Sequence, residues 1–297
     1  MKKLVTLLIL LLFVVEVSRA QYQQFYSQYI YSGLLINPAY AGSQDALNIT
    51  AAYRNQWTGF TGAPKSYSLA AHTPLRNKKV NLGLVVAAES FGITSKTEVN
   101  LAYAYRIIKK ESSLSFGLQA GLDLYKEDWN KVVTTDPNDP NFIPRIENKT
   151  IPKFGGGIYY TTKKIYAGLA FPTLYKIDAA TSFSSLAMNL YSGILINVKN
   201  DVVIKPSVLL KYLPGSPLQY DITGTFYVSK LLGVGFGYRS SDAIYALLDL
   251  KITDQFNLGY SYDFTTSKLK NYSGGSHELM LRYLFKYSVN SKSVRYF

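Results

Sequence analysis

Few residues of this chain could carry catalysis. Its 297 residues contain two histidines and no cysteine. His72 shares strand parity with Ser66 and Ser68, as a serine hydrolase would require, but no nucleophile motif surrounds either serine. His277 stands near a strand end, where histidine is common. We therefore predict no catalytic residue and no enzyme activity.

Metal and cofactor sites are equally unsupported by the residue spacing. There is no HExxH motif and no histidine pair at ligand spacing, and the loop DPNDPN at 136–141 lacks the glycine and terminal glutamate of an EF-hand. The glycines at 155–157 and at 233, 235 and 237 precede no predicted helix, so they do not indicate a phosphate loop. We predict no metal and no cofactor, and we interpret these glycines as bends and close strand approaches.

The dominant pattern is an alternation of apolar and polar residues. In QFNLGYSYDF, at 255–264, aromatic and aliphatic side chains occupy every second position, which predicts a β-strand with two unlike faces. Segments of this kind, most of them roughly 9–12 residues long, suit tilted strands that cross an outer membrane. They are 47–56, 65–75, 80–88, 95–108, 112–125, 152–161, 164–171, 185–198, 202–212, 218–228, 231–239, 242–252, 255–264 and 276–287.

The connections between these segments alternate between tight turns and longer loops. The long ones are 126–151, 172–184 and 265–275. Turns at one end and loops at the other are typical of an outer-membrane barrel. We predict an all-β fold, a transmembrane outer-membrane β-barrel of about 14 antiparallel strands with long extracellular loops and short periplasmic turns. Pro206 interrupts this pattern, and a bulge or a later strand start would accommodate it.

The parity of the charged residues decides which face points inward. A soluble β-sandwich, such as a secreted lectin, would have to bury these charges at a cost of several kcal/mol for each unpaired one. We therefore predict that the apolar face meets lipid and the charged face lines a lumen. The inward set is Arg54, Glu89, Arg106, Asp123, Lys205, Lys211, Asp221, Arg239, Asp249, Lys251, Asp263, Glu278, Arg282 and Lys286.

The ends of the chain divide into short functional segments. Residues 1–20 have the basic start, apolar run and small-residue cleavage site of a signal peptide. Residues 21–46 are predicted to be an N-terminal periplasmic segment, either a plug of the periplasmic mouth or a flexible leader. Residues 47–287 are predicted to form the barrel, and 288–297 a C-terminal tail.

The net charge of +13 does not predict nucleic-acid binding, because the paired lysines fall in turns of an exported chain.

Several motifs resemble the PorP/SprF family of outer-membrane proteins. They are INPAYAG at 36–42, YRNQWTGFTGAPK at 53–65, QFNLGYSYDF at 255–264 and SHELMLRYLF at 276–285. The resemblance implies a barrel of the type IX secretion system that engages the C-terminal domain of a secreted, adhesin-like cargo. It also implies, for some members, a peptidoglycan-binding periplasmic partner. The residues predicted to bind a partner or to form the plug are Asn37, Pro38, Tyr40, Gly42, Arg54, Trp57 and Pro64.

One alternative function stays open at this point. A barrel of about 14 strands encloses a lumen between the side-chain-filled small barrels and the open porins. A diffusion channel or transporter of the outer membrane is therefore the second hypothesis.

Overall fold

The chain forms a closed antiparallel barrel. The structure, a computed structural model, describes residues 26–132, 134, 143–176, 187–199 and 201–285. The predicted signal peptide, the C-terminal tail, Lys286 and the loop at 136–141 lie outside these residues. No helix in the described part of the chain is long and apolar enough to cross a membrane.

Each strand pairs with its neighbours in sequence, and the last closes on the first. The strands are β1 Leu47–Asn55, β2 Lys65–Pro74, β3 Val80–Phe91, β4 Thr94–Lys109, β5 Ser112–Asp128, β6 Ile146–Thr161, β7 Ile165–Lys176, β8 Ala187–Ile194, β9 Ile196–Lys199, β10 Val202–Tyr212, β11 Gln219–Val228, β12 Leu232–Arg239, β13 Ala243–Lys251, β14 Phe256–Thr265 and β15 Ser276–Phe285. Leu47 pairs with Phe285 and Arg54 with Glu278, which joins β1 to β15. Because β8 and β9 together make one crossing, the barrel has 14 strands, as predicted.

The side-chain alternation places charge inside and apolar groups outside. Outward-facing Leu118 and Leu101 are 66% and 64% exposed, whereas inward-facing Arg54 and Glu278 are 1% and 0% exposed. Twelve of the thirteen described residues of the predicted inward set are buried, which confirms the prediction for them. Lys251 is the exception among those described, because it lies at the end of β13 and pairs with Asp254 in the following turn. An exposed band of aliphatic and aromatic side chains surrounds the barrel, as lipid contact requires.

The two ends of the barrel differ in the length of their connections. At the turn end the connections are 75–79, 110–111, 162–164, 200–201, 229–231 and 252–255. At the loop end they include 56–64, 129–145, 213–218 and 266–275, together with the short 92–93 and 240–242. The predicted loop 126–151 is too long, because β5 and β6 continue to pair as far as Asp128 and Ile146. Beyond the apolar band, the backbone N–H and C=O groups of β5 and β6 continue to hydrogen-bond to each other.

Pro206 lies inside β10 and neither begins that strand nor forms a bulge in it. The prediction of a bulge or a later strand start was wrong. The irregularity falls on the neighbouring crossing instead, which is broken at Leu195 between β8 and β9. The Leu195 amide donates to the Lys164 carbonyl at 2.6 Å. The barrel thus tolerates a residue without an N–H because the adjacent strand interrupts its ladder at that level.

Residues 26–46, the luminal segment, lie inside the barrel and are largely buried there. Three 3₁₀ turns, Tyr29–Tyr31, Gly33–Leu35 and Pro38–Tyr40, fold this segment compactly. Ser27 contacts Asp263 and Glu278 near the loop end, and the chain then descends to the turn end, where β1 begins. A void beside Tyr29 and Lys205 has a volume of ≈ 10 Å³, about the smallest space that holds one water.

Candidate functional site

The motif around Asn37 and Pro38 fixes the luminal segment to the barrel wall. The Asn37 side chain caps the third 3₁₀ turn by accepting from the Ala39 amide at 2.9 Å, and Pro38 supplies the pre-set φ of the first helical position. The Asn37 amide group also donates to the Ile158 carbonyl at 3.0 Å and to the Tyr191 hydroxyl at 3.1 Å. One side chain therefore orders the turn and ties it to β6 and β8.

Tyr40 and Gly42 anchor the lower part of the segment. The Tyr40 ring packs edge-on against His72 with centroids 5.4 Å apart. The Gly42 amide donates to His72 Nδ1 at 3.1 Å, and Arg106 donates to the Gly42 carbonyl at 3.0 Å. Arg106 also pairs with Asp45 at 2.5 Å. His72 is thus a structural acceptor for the backbone, and the structure gives it no partner among Ser66 and Ser68.

Gly42 must be glycine for two reasons. Its φ is +70°, a left-handed conformation that other residues adopt at a cost. A Cβ at this position would meet the Asn81 side chain at 2.1 Å. The close approach of the segment to β3 therefore depends on the missing side chain.

Glycines of the barrel wall make room for the segment at two further places. A Cβ on Gly117 would lie 2.2 Å from the Ala39 nitrogen, and one on Gly157 would lie 2.2 Å from Asn37 Oδ1. The expectation that Gly155 to Gly157 mark an irregularity is also met, since the β6–β7 register shifts between Phe154 and Gly156. The sequence did not indicate that these inward positions receive another part of the chain.

Arg54 lies at the centre of a buried ionic cluster near the loop end. Its guanidinium pairs with Asp263 at 2.8 Å and with Glu278 at 3.1 Å, and all three side chains are at most 1% exposed. Arg239 pairs with Asp263 and Asp221, each at 2.9 Å. This Arg54 cluster links β1, β11, β12, β14 and β15, which lie along one arc of the barrel wall.

Ser27 of the luminal segment completes the Arg54 cluster. Its hydroxyl accepts from Arg54 and Arg239, each at 3.0 Å, and donates to Asp263 at 2.8 Å. Its backbone amide donates to Glu278 at 2.9 Å. The cluster therefore fixes the upper end of the segment with charge-assisted hydrogen bonds, which are stronger than neutral ones.

A second ionic network lies on β4, β5 and β6. Lys153 pairs with Glu98 at 2.7 Å and with Asp123 at 2.9 Å, and Lys96 bridges the same two carboxylates at 3.0 and 3.4 Å. The inward set predicted from the sequence omitted Lys96, Glu98 and Lys153. The signal was present, because Glu98 continues the parity of Asn100 and Ala102 toward the loop end.

Trp57 and Pro64 lie in the β1–β2 loop, away from the lumen. The loop is held from both sides: Trp57 N–H donates to Ser276 Oγ at 3.0 Å, and Gly92 N–H donates to the Gly62 carbonyl at 2.9 Å. The Pro64 carbonyl accepts from the Gln56 amide at 2.9 Å and closes the base of the loop. Hydrogen bonds to two neighbouring loops and across its own base therefore hold this loop.

An open groove of ≈ 480 Å³ borders this loop. Trp57, Phe60 and Phe91 supply aromatic walls, and Lys65 supplies a charge. Phe60 is 43% exposed. The seven predicted site residues therefore divide into two places, with Asn37, Pro38, Tyr40, Gly42 and Arg54 in the lumen and Trp57 and Pro64 at the rim.

The family follows from the match of the whole barrel sequence. The model of the type IX secretion system membrane protein PorP/SprF matches residues 18–283. The chain belongs to the PorP/SprF family. This family consists of secretion-system membrane proteins and is not an enzyme family. No curated protein matches the sequence.

Solved structures support the outer-membrane barrel fold of this PorP/SprF member. The CymD monoaromatic hydrocarbon channel aligns over 87% of this chain and 93% of its own, with 13% identity and a TM-score of 0.51. The Ralstonia pickettii toluene transporter TbuX aligns over 86% and 94%, with 9% identity and the same TM-score. At these identities the likeness concerns the fold alone. The turn end of such a barrel faces the periplasm and the loop end faces the exterior.

Proposed function

We propose that this barrel assists the export or surface anchoring of a secreted, adhesin-like partner by binding the partner's C-terminal domain at the loop-end rim. The observation that carries the proposal is the family match over residues 18–283, in a barrel whose lumen holds the chain's own N-terminal segment. A filled lumen leaves the rims as the accessible surfaces. Loops on a rigid scaffold commonly display binding residues.

The groove beside Trp57 and Phe60 is the proposed contact for the partner. Its loop is hydrogen-bonded to the β14–β15 loop through Thr58 and Gly275 at 2.7 Å, so little ordering is needed on binding. Partly exposed aromatic side chains are the groups that most often dominate protein interfaces. A peptidoglycan-binding partner at the periplasmic turn end is the second element of the proposal, and it rests on the family resemblance alone.

The channel hypothesis is weakened by the contents of the lumen. Tyr29, Tyr31 and Tyr40 are each at most 4% exposed within the barrel. Paired ions on neighbouring strands brace the wall and neutralise one another, which argues against a charged, solute-selective pore. We propose that the luminal segment closes the barrel to steady diffusion.

The experiment tests the groove in the native host. A strain lacking the chain is complemented with the wild type, with Phe60→Ala and Phe91→Ala together, or with Leu218→Ala. Leu218 is an equally apolar rim residue, 54% exposed and distant in sequence from the groove. We expect the groove variant to lose a large surface protein at unchanged barrel abundance, and the Leu218 variant to retain it. Normal retention with the groove variant refutes binding at this site.

A further inference from the structure

We propose that the periplasmic rim binds the phosphate headgroups of anionic phospholipids through a ring of lysines. Each of the six turns holds a lysine or directly follows one. The described cations of the ring are Arg76, Lys78, Lys79, Lys109, Lys110, Lys163, Lys164, Lys230 and Lys251. The acids in or beside the same turns are Glu111, Asp201 and Asp254. The turn end therefore carries a large excess of positive charge.

The ring borders the apolar band that meets lipid. Leu75, Ile108, Leu231 and Ile252 adjoin its turns and are 42–58% exposed. A lysine next to such residues extends its alkyl stem along the apolar surface and places its ammonium at the level of the headgroups. This position distinguishes the ring from charges on a domain that projects into the periplasm.

Much of this charge has no internal acidic partner. Glu111 pairs with Lys163, Asp254 with Lys251, and Asp45 with Lys78 at 3.8 Å. Within the described residues, no salt bridge reaches the other exposed cations of the ring, which are Arg76, Lys79, Lys109, Lys110, Lys164 and Lys230. Anions from outside the chain can therefore approach them.

Three of the lysines occupy backbone positions that favour other residues. Lys78, Lys110 and Lys230 have φ values of +56°, +49° and +53°. Glycine or asparagine adopts this left-handed conformation at less cost, and tight turns between strands normally contain them. Lysine at all three positions is not explained by turn geometry. The strain is consistent with a role for the charge itself.

The test uses asparagine at these positions, since asparagine removes the charge and suits the positive φ. The full mature barrel, with Lys78→Asn, Lys110→Asn and Lys230→Asn combined, is compared with the wild type in detergent by native mass spectrometry. Dioleoyl phosphatidylglycerol and dioleoyl phosphatidylethanolamine are supplied at equal concentration. We expect the wild type to prefer phosphatidylglycerol at least about fivefold, and we expect the variant to lose that preference.

A matched variant and a competitor make the result decisive. Lys65→Asn, Lys268→Asn and Lys270→Asn remove the same charge from exposed positions at the loop end, and we expect the phosphatidylglycerol preference to persist. An equal loss in both variants would reduce the effect to net charge and overturn the proposal. No preference in the wild type would also overturn it. A soluble peptidoglycan fragment that displaces phosphatidylglycerol would assign the ring to peptidoglycan instead.

Discussion

Replacing Gly117 by alanine tests whether the luminal segment and the barrel wall form one packed unit. The added Cβ would lie 2.2 Å from the Ala39 nitrogen and 2.5 Å from the Pro38 carbonyl carbon, and both are backbone atoms that cannot rotate away. Ordinary contact begins near 3.4 Å, so the segment or β5 must move by about 1.2 Å. Overpacking of this kind costs about 1–3 kcal/mol.

The measurement is equilibrium urea unfolding of the refolded mature barrel in detergent micelles, followed by tryptophan fluorescence. We expect Gly117→Ala to lower the free energy of unfolding by about 1–3 kcal/mol. Hydrogen exchange should show that a peptide covering 33–46 loses protection at the same time, because the Asn37 hydrogen bonds depend on the same fit.

Gly224→Ala is the matched control. Gly224 is also a strand glycine, but no atom lies within 4 Å of its added Cβ. Its free energy of unfolding should be unchanged or raised by up to about 1 kcal/mol, since alanine restricts the unfolded chain. If Gly117→Ala matched Gly224→Ala in both stability and exchange, the packing argument would be refuted.

Three further predictions follow from the same interior. Arg54→Met should lower the free energy of unfolding by about 3–5 kcal/mol, because it removes the buried cation that pairs with Glu278 and leaves Asp263 with Arg239 alone of its two arginine partners. Urea titration beside Lys65→Met, an exposed control, checks this. Asn37→Ala should cost about 1–2 kcal/mol through loss of the cap and of two hydrogen bonds, and full stability in the same titration would contradict it. The wild-type barrel in a planar bilayer should give no steady conductance, and a persistent, solute-selective current would restore the channel hypothesis.

The sequence predicted the strands well because the alternation of side chains is a local property. The predicted segment 202–212 has the same bounds as β10. The predicted ends differ most from the observed ones where a strand extends beyond the apolar band, as β6 does to Ile146. A period of two also predicted the buried position of Asp123 and the exposed position of Leu118. No comparable rule predicted the break at Leu195, since it compensates for Pro206 on a different strand.

The site was predicted less completely. The motifs include several residues of the luminal segment, but they do not say what these residues contact. Asn37 contacts Tyr191 and Tyr40 contacts Tyr159, and each of these partners lies more than 100 residues away in sequence. Spacing alone carries no information about such pairs. The sequence likewise gave no sign that Ser27 would join two arginines to Asp263.

The sequence by itself determined a polar-in, apolar-out barrel, because lipid outside and charge inside impose a period that can be read along each strand. It also determined that one end carries turns and the other loops. Only the tertiary structure decided what occupies the lumen. Closing β15 onto β1 brings Glu278, Asp263 and Arg54 around one point, and the N-terminal segment enters because its amides and its Ser27 hydroxyl satisfy charges that the closed wall would otherwise leave buried.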